Sequence, residues 1–207
     1  QAAAASAPLR GGPPVEREIV ADKLGHKAPG KFAYVSVISN EKYVDGAIVL
    51  ALSLYNKSAL LQQERCELAL LIPDSLHDDS IARLRAAGYH QLKRTEESLA
   101  SLIPESAWKD TFDKMYLWSF VEYGMLAFLD ADMLALEDPD SVFDYQIPNA
   151  SYIGALGSGD KKYFQTGMMT IIPDRDIFDA LIAHFKAGVA RKEFTGLNAR
   201  DGQVVRS

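Results

Sequence analysis

Residues Asp113–Asp144 read DKMYLWSFVEYGMLAFLDADMLALEDPDSVFD. Phe112, Met115, Tyr116, Ser119, Phe120 and Tyr123 recur at steps of three and four, which predicts a helix with one buried face. Gly124 stands where such a helix would end. Met125–Leu129 is then apolar without alternation, the pattern of a strand covered on both faces. Asp130 and Asp132 follow at the carboxyl end of that strand. Open α/β sheets bind their ligands at that edge.

A D-x-D is weak evidence by itself, and the chain has three: Asp130–Asp132, Asp138–Asp140 and Asp174–Asp176. The last two lie beside proline in polar segments, where Asp is expected for turns and helix caps. Only the first follows a buried strand. Two unpaired carboxylates there would repel each other and resist desolvation. A hard divalent cation, Mn²⁺ or Mg²⁺, would relieve that conflict and keep coordination positions open for phosphate oxygens. It could also stabilise a diphosphate leaving group.

Working outward, strand and helix patterns alternate. Phe32–Ser39 reads as a strand, Asn40–Tyr43 as a loop and Val44–Tyr55 as a helix. Glu67–Ile72 is a second strand. Asp74 is a plausible cap for a helix over Leu76–Ala87, whose inner face is Ile81 and Leu84 and whose stop is Gly88. Tyr89–Lys93 is a third strand. Beyond the acidic triplet, Ser141–Phe143 reads as a helical turn, Tyr152–Ala155 and Tyr163–Ile172 as strands, and Gly157–Asp160 as a loop. Pro173 opens an amphipathic helix closing near Gly188. The alternation predicts an α/β domain whose sheet is mostly parallel and flanked by helices. Residues 1–31, rich in Ala, Pro and Gly, read as a flexible arm or stem, with the domain over 32–207.

Composition narrows the function. At 207 residues the chain can bury one real core, and 48% apolar content is ordinary for a globular protein. A net charge of -6 argues against a nucleic-acid groove. No run is long enough to span a membrane. One cysteine, Cys66, excludes an internal disulfide, and its place at a strand start reads as packing. The four histidines have no ligand spacing. Asn56 and Asn149 each open an N-x-S triplet, a mild pointer to a secretory lumen that leaves the cytoplasm open. Neither a G-x-G-x-x-G nor a P-loop pattern occurs.

The run from Thr111 to Asp144, with Lys114, Trp118, the D-A-D triplet and the Leu136–Phe143 stretch, resembles the glycosyltransferase family that includes glycogenin: family 8, retaining, with the Rossmann-like GT-A fold. The resemblance covers most of Phe32–Ser207. It implies a UDP-sugar donor and Mn²⁺ (or Mg²⁺) held by Asp130 and Asp132. It also implies that Lys114 assists the diphosphate. Val37, Ser39, Asn40 and Tyr43 would form the uridine pocket, with Ala131 also touching the donor. Gln165 and Thr166 stand where the family has Asn and Ser. Asn198 and Asp201 match the two Asp positions of its D-G-x-D-Q loop, with Asp201 held near the anomeric carbon. Gln165, Asp201 and Lys114 are thus the expected catalytic set. The family's later segment, with a His metal ligand and a diphosphate-binding Lys, has no counterpart before Ser207, so the expectation is that the C-terminal end is missing and that this chain turns over little. The residues alone also admit a non-catalytic nucleotide-sugar-binding or scaffolding protein, and a nucleotidyltransferase that would release pyrophosphate.

Overall fold

The computed structural model describes residues 31–95, 97–103, 109–157 and 164–192. Six strands form one sheet: β1 (Phe32–Val37), β2 (Cys66–Ile72), β3 (Tyr89–Arg94), β4 (Met125–Leu129), β5 (Ile153–Gly157) and β6 (Phe164–Ile171). Their order is β3-β2-β1-β4-β6-β5. The pairs β2–β3, β1–β2 and β1–β4 are parallel; β6 runs antiparallel to both β4 and β5. The helices are α1 (Val44–Lys57), α2 (Ala59–Gln62), α3 (Asp78–Ala86) and α4 (Arg175–Ala190). Among the described residues no helix is long and apolar enough to cross a membrane.

Successive strand residues point to opposite faces, so the apolar strands supply two cores. On one face Tyr34, Leu68, Leu70, Ile72, Ala127 and Leu129 pack with Leu50 and Leu54 of α1 and Leu84 of α3. On the other, Ala33, Val35, Leu71, Leu126 and Phe128 meet Leu117, Trp118, Phe120 and Phe178. All five residues of β4 are buried, as its unbroken apolar run requires. Cys66 is buried too, and burial pushes its thiol pKa up to about 12, consistent with a packing role.

Three expectations are corrected. The segment before β4 is a run of 3₁₀ turns over Lys109–Ser119, not an α-helix. Phe112, Asp113, Met115, Leu117, Trp118 and Ser119 are all buried, so the segment is enclosed on nearly every side instead of presenting one face. A three-residue turn aligns Phe112, Met115 and Trp118, and such bulky side chains carry only modest α propensity. The second correction concerns α3, which starts at Asp78 and is not capped by Asp74. Glu41 caps it from the loop after β1: its carboxylate accepts from the His77 amide at 2.7 Å and from Ser80 Oγ at 2.5 Å. Those two bonds hold the Glu41 pKa below the usual carboxylate value. Third, α4 passes through Gly188, which is buried in the helix, and ends with Lys192 in the left-handed region at φ 59°. That glycine therefore lies inside the helix, which runs on to Ala190. The remaining stops are as expected: Gly88 follows α3 at φ 103°, and Asp174 caps α4 by accepting from the Ile177 amide at 3.0 Å.

Candidate functional site

The sheet extends through β2 and β3 on one side of β1 and through β4 on the other, so strand order reverses between β1 and β4. A crevice at the carboxyl ends of these two parallel strands is where an open α/β sheet takes ligands. Ser36 fastens the pair at that edge by donating its hydroxyl to the Leu129 carbonyl inside the core. Because β6 is antiparallel, its amino end reaches the same edge, with Met168 opposite Leu129. Two loops, those after β1 and β4, therefore converge there with the start of β6.

After β1 the chain makes a 3₁₀ turn, Glu41–Tyr43, capped by Asn40, whose Oδ1 accepts from the Lys42 amide at 3.0 Å. The structure gives Asn40 this capping role directly. Val37, Ser39 and Asn40 are half-buried, and Tyr43 is 45% exposed with its ring unclaimed by the core. The Glu41 bonds to α3 anchor this turn, so Tyr43 stands on a fixed base.

After β4, the Asp130 amide donates to the Gly167 carbonyl at 2.9 Å and the Met133 amide to the Asp130 carbonyl at 3.1 Å, closing a tight turn over the D-A-D triplet. Ala131 is buried with its carbonyl facing α1. Gly46 makes that approach possible, since a Cβ built there would lie 2.8 Å from the Ala131 oxygen. Gly46→Ala is therefore expected to push the turn away from α1 and cost about 1–3 kcal/mol of stability, the usual penalty of overpacking. A urea unfolding curve would measure it. A parent-like midpoint would mean that the turn yields freely.

Lys114 reaches this turn from the 3₁₀ segment. Its Nζ lies 3.0 Å from Asp130 Oδ1, donates to the Thr166 carbonyl at 3.1 Å and Thr166 Oγ1 at 3.3 Å, and sits 4.9 Å from the centre of the Phe128 ring. Gly167 lies close against the other Asp130 oxygen: a Cβ on it would be 3.2 Å from Oδ2. Gln165 is exposed beside them. Lys114, Asp130, Gln165 and Thr166 are thus brought to one edge.

The expected conflict between two buried carboxylates is absent. Asp130 is 37% exposed and paired with Lys114, and Asp132 is exposed. Opposite charge within contact range does for Asp130 what a divalent ion was expected to do. Among the described residues no three ligating side chains gather into a metal cluster. Asp130 nevertheless already accepts a cation, and its carboxylate with that of Asp132 supplies hard oxygen donors at a turn open to solvent. The residues present fit an ion that takes the rest of its shell from a nucleotide and water. Asn198 and Asp201 lie outside the described residues.

The other two D-x-D pairs are structural, as expected. Asp140 is buried and accepts from Tyr34 OH, Ser58 Oγ and the Leu60 amide; Asp174 caps α4. Sequence reasoning missed Glu41 and Gly46. A lone glycine inside a helical pattern was the available signal for the second. Glu41 had none, because its partners are 36 and 39 residues away.

No family model matches the chain. It is 30% identical over 177 residues to UDP-glucuronate:xylan alpha-glucuronosyltransferase 2 of Arabidopsis thaliana, covering 84% of this chain and 27% of that protein. It is 26% identical over 167 residues to the glycogenin of Neurospora crassa, covering 78% of this chain and 23% of that one. The chain spans about a quarter of the length of these relatives. Among solved structures, the glycosyltransferase GlyE of Streptococcus pneumoniae TIGR4 superposes with a TM-score of 0.58 at 18% identity, covering 85% of this chain and 42% of that chain. The bifunctional glycosyltransferase WbbM does so with a TM-score of 0.55 at 11% identity, covering 75% and 34%. By sequence the chain is a homologue of the family 8 glycosyltransferases, and its described residues carry the GT-A fold.

Proposed function

We propose that this chain is the nucleotide-binding part of a metal-dependent, retaining glycosyltransferase that moves a hexose or related sugar from UDP to an acceptor hydroxyl. The observation that carries the reading is the meeting of Lys114, Asp130 and Gln165–Gly167 at the β1–β4 switch point, beside the loop that presents Tyr43. Tyr43 stacks on the uracil, with Val37, Ser39 and Asn40 along the edge of the base and ribose. Asp130 and Asp132 would hold Mn²⁺ or Mg²⁺, which when bound supplies charge stabilisation for departing UDP. Lys114 adds a cation for the diphosphate. Ala131, Gln165 and Thr166 contact the donor, joined by Asn198 and Asp201. The bond from the anomeric carbon to the diphosphate breaks, the acceptor oxygen takes the same face, and its proton leaves with the diphosphate.

The deciding experiment incubates the protein with a panel of UDP-sugars, with Mn²⁺ or with chelator, and measures UDP released. Release above the chelated blank supports the enzyme. UDP binding without release supports a non-catalytic binding protein, a reading favoured by the Lys114 ammonium already engaging Asp130. A parallel incubation with UTP and a sugar 1-phosphate that released pyrophosphate, with no UDP from the first panel, would sink both in favour of nucleotidyl transfer.

Tyr43 gives a separate check. Tyr43→Ala is expected to weaken UDP binding by about 1–3 kcal/mol, the usual worth of an aromatic–base stack. Titration calorimetry returning the parent affinity would show the ring to be idle.

A further inference from the structure

We infer that Lys114 is the resident counter-ion of Asp130, and that a divalent cation competes poorly for this carboxylate until Lys114 passes to the diphosphate. Cation and nucleotide then load together, and neither loads well alone. The inference deepens the nucleotide-binding reading above and rests on it.

The seat of Lys114 carries the argument. Its side chain is only 13% exposed. Three acceptors surround the ammonium, namely Asp130 Oδ1, the Thr166 carbonyl and Thr166 Oγ1, and these can use all three of its N–H donors. The Phe128 ring adds a cation–π contact. A second cation at Asp130 would face this ammonium at contact distance and be repelled. Lys114 therefore competes with a bare divalent ion for the same carboxylate. A nucleoside diphosphate changes the balance, because its oxygens accept the ammonium as the ion takes Asp130. The lysine has a flexible four-carbon stem, and Thr166 sits at the same edge, so the transfer needs only a swing of the side chain. Coupling of this kind is reciprocal: nucleotide must strengthen ion binding by the same factor as the ion strengthens nucleotide binding.

The test uses the full chain and Mn²⁺ alone, followed by electron paramagnetic resonance of the free ion. Lys114→Met should bind Mn²⁺ about fivefold or more tighter than the parent, the lower range of ordinary coupling factors. The same variant should bind UDP more weakly when Mn²⁺ is present. Lys42→Met, which removes an exposed charge outside the pair, should leave Mn²⁺ affinity near the parent value. An equal gain in both variants would mean that only the general field matters and would overturn the inference, as would no gain at Lys114. Should Lys114→Met fail to fold, lysine acetylation read by mass spectrometry on the parent decides. Lys114 should label slowly in the free protein, faster with saturating Mn²⁺ alone, and slowly again once UDP is added. Labelling indifferent to Mn²⁺, while Mn²⁺ and UDP bind together, would overturn this inference and leave the nucleotide site standing. If neither Mn²⁺ nor UDP binds at all, both fall.

Discussion

Asp140→Ala is expected to destabilise the folded protein by on the order of 3–5 kcal/mol, a large share of a domain's net stability. Asp140 is 6% exposed, and its carboxylate accepts from Tyr34 OH at 2.8 Å, Ser58 Oγ at 2.5 Å and the Leu60 amide at 2.9 Å. These donors come from β1, from the residue between α1 and α2, and from α2. Removing the acceptor leaves three donors facing each other away from water, and each orphan costs about 1–3 kcal/mol before relaxation. The tyrosine registers the same environment: burial first, then the Asp140 bond and charge, drive its pKa well above the ordinary range. Ser58 is doubly committed, because its Oγ also caps α2 by accepting from the Leu61 amide at 3.0 Å. Asp140→Asn should cost less than the alanine, since it keeps one acceptor oxygen. Urea unfolding of the three proteins makes the comparison. A loss below about 1 kcal/mol for Asp140→Ala would show that water or a rearranged hydroxyl replaces the carboxylate, since the bond network then counts for no more than one ordinary hydrogen bond.

This hub is also where the sequence became hard to read. Asp138 and Asp140 flank a proline, and the turn reading that this spacing supports is correct for Asp138, whose Oδ1 accepts from the Asp140 amide. It is too small for Asp140. The partners of Asp140 lie 80 to 106 residues away, and no local spacing encodes them. The same limit explains Glu41 as a distant cap and Lys114 as the partner of Asp130. What was legible follows a period or a boundary. Met125–Leu129 was found to the residue because an unbroken apolar run ends abruptly at two carboxylates. The other strands were placed within a residue or two by β-branched and aromatic runs between turn formers. The segment before β4 shows the opposite case. Its step of three and four was real, but burial on nearly every side selected 3₁₀ turns, and a one-dimensional pattern does not distinguish one buried face from several. At the site, the carboxyl end of β4 and the turn that carries Asp130 and Asp132 were legible from the apolar run that precedes them. The electrostatics were not, because both charges of the Lys114–Asp130 pair were visible and their distance was not.

Asp130→Ala is the functional counterpart of the Asp140 substitution, with effects in the opposite proportion. Stability should fall by about 1–2 kcal/mol, because Asp130 itself is partly solvated although Lys114 is mostly buried. Lys114 would keep its two Thr166 acceptors and the Phe128 ring, so its ammonium is not stranded. Binding should change far more. Asp130 is the carboxylate at the end of β4, pinned through its amide to Gly167 and through its carbonyl to Met133, whereas the Asp132 side chain is exposed. Its orientation is therefore set by the backbone before any ligand arrives. Removing a fixed charge-stabilising group of this kind costs roughly 10²–10³ in rate. The alanine variant should lose that much of any Mn²⁺-dependent donor turnover, and UDP affinity should become indifferent to chelator. Asp132→Asn should weaken Mn²⁺-dependent UDP binding in the same direction. Its effect on stability should be slight, because an exposed carboxylate has no buried conflict to relieve. Calorimetric UDP titrations of both variants, with Mn²⁺ and with chelator, separate the two positions. If Asp130→Ala binds UDP in Mn²⁺ as tightly as the parent does, the ion is held elsewhere, and Lys114–Asp130 is a structural pair that happens to stand at the switch point.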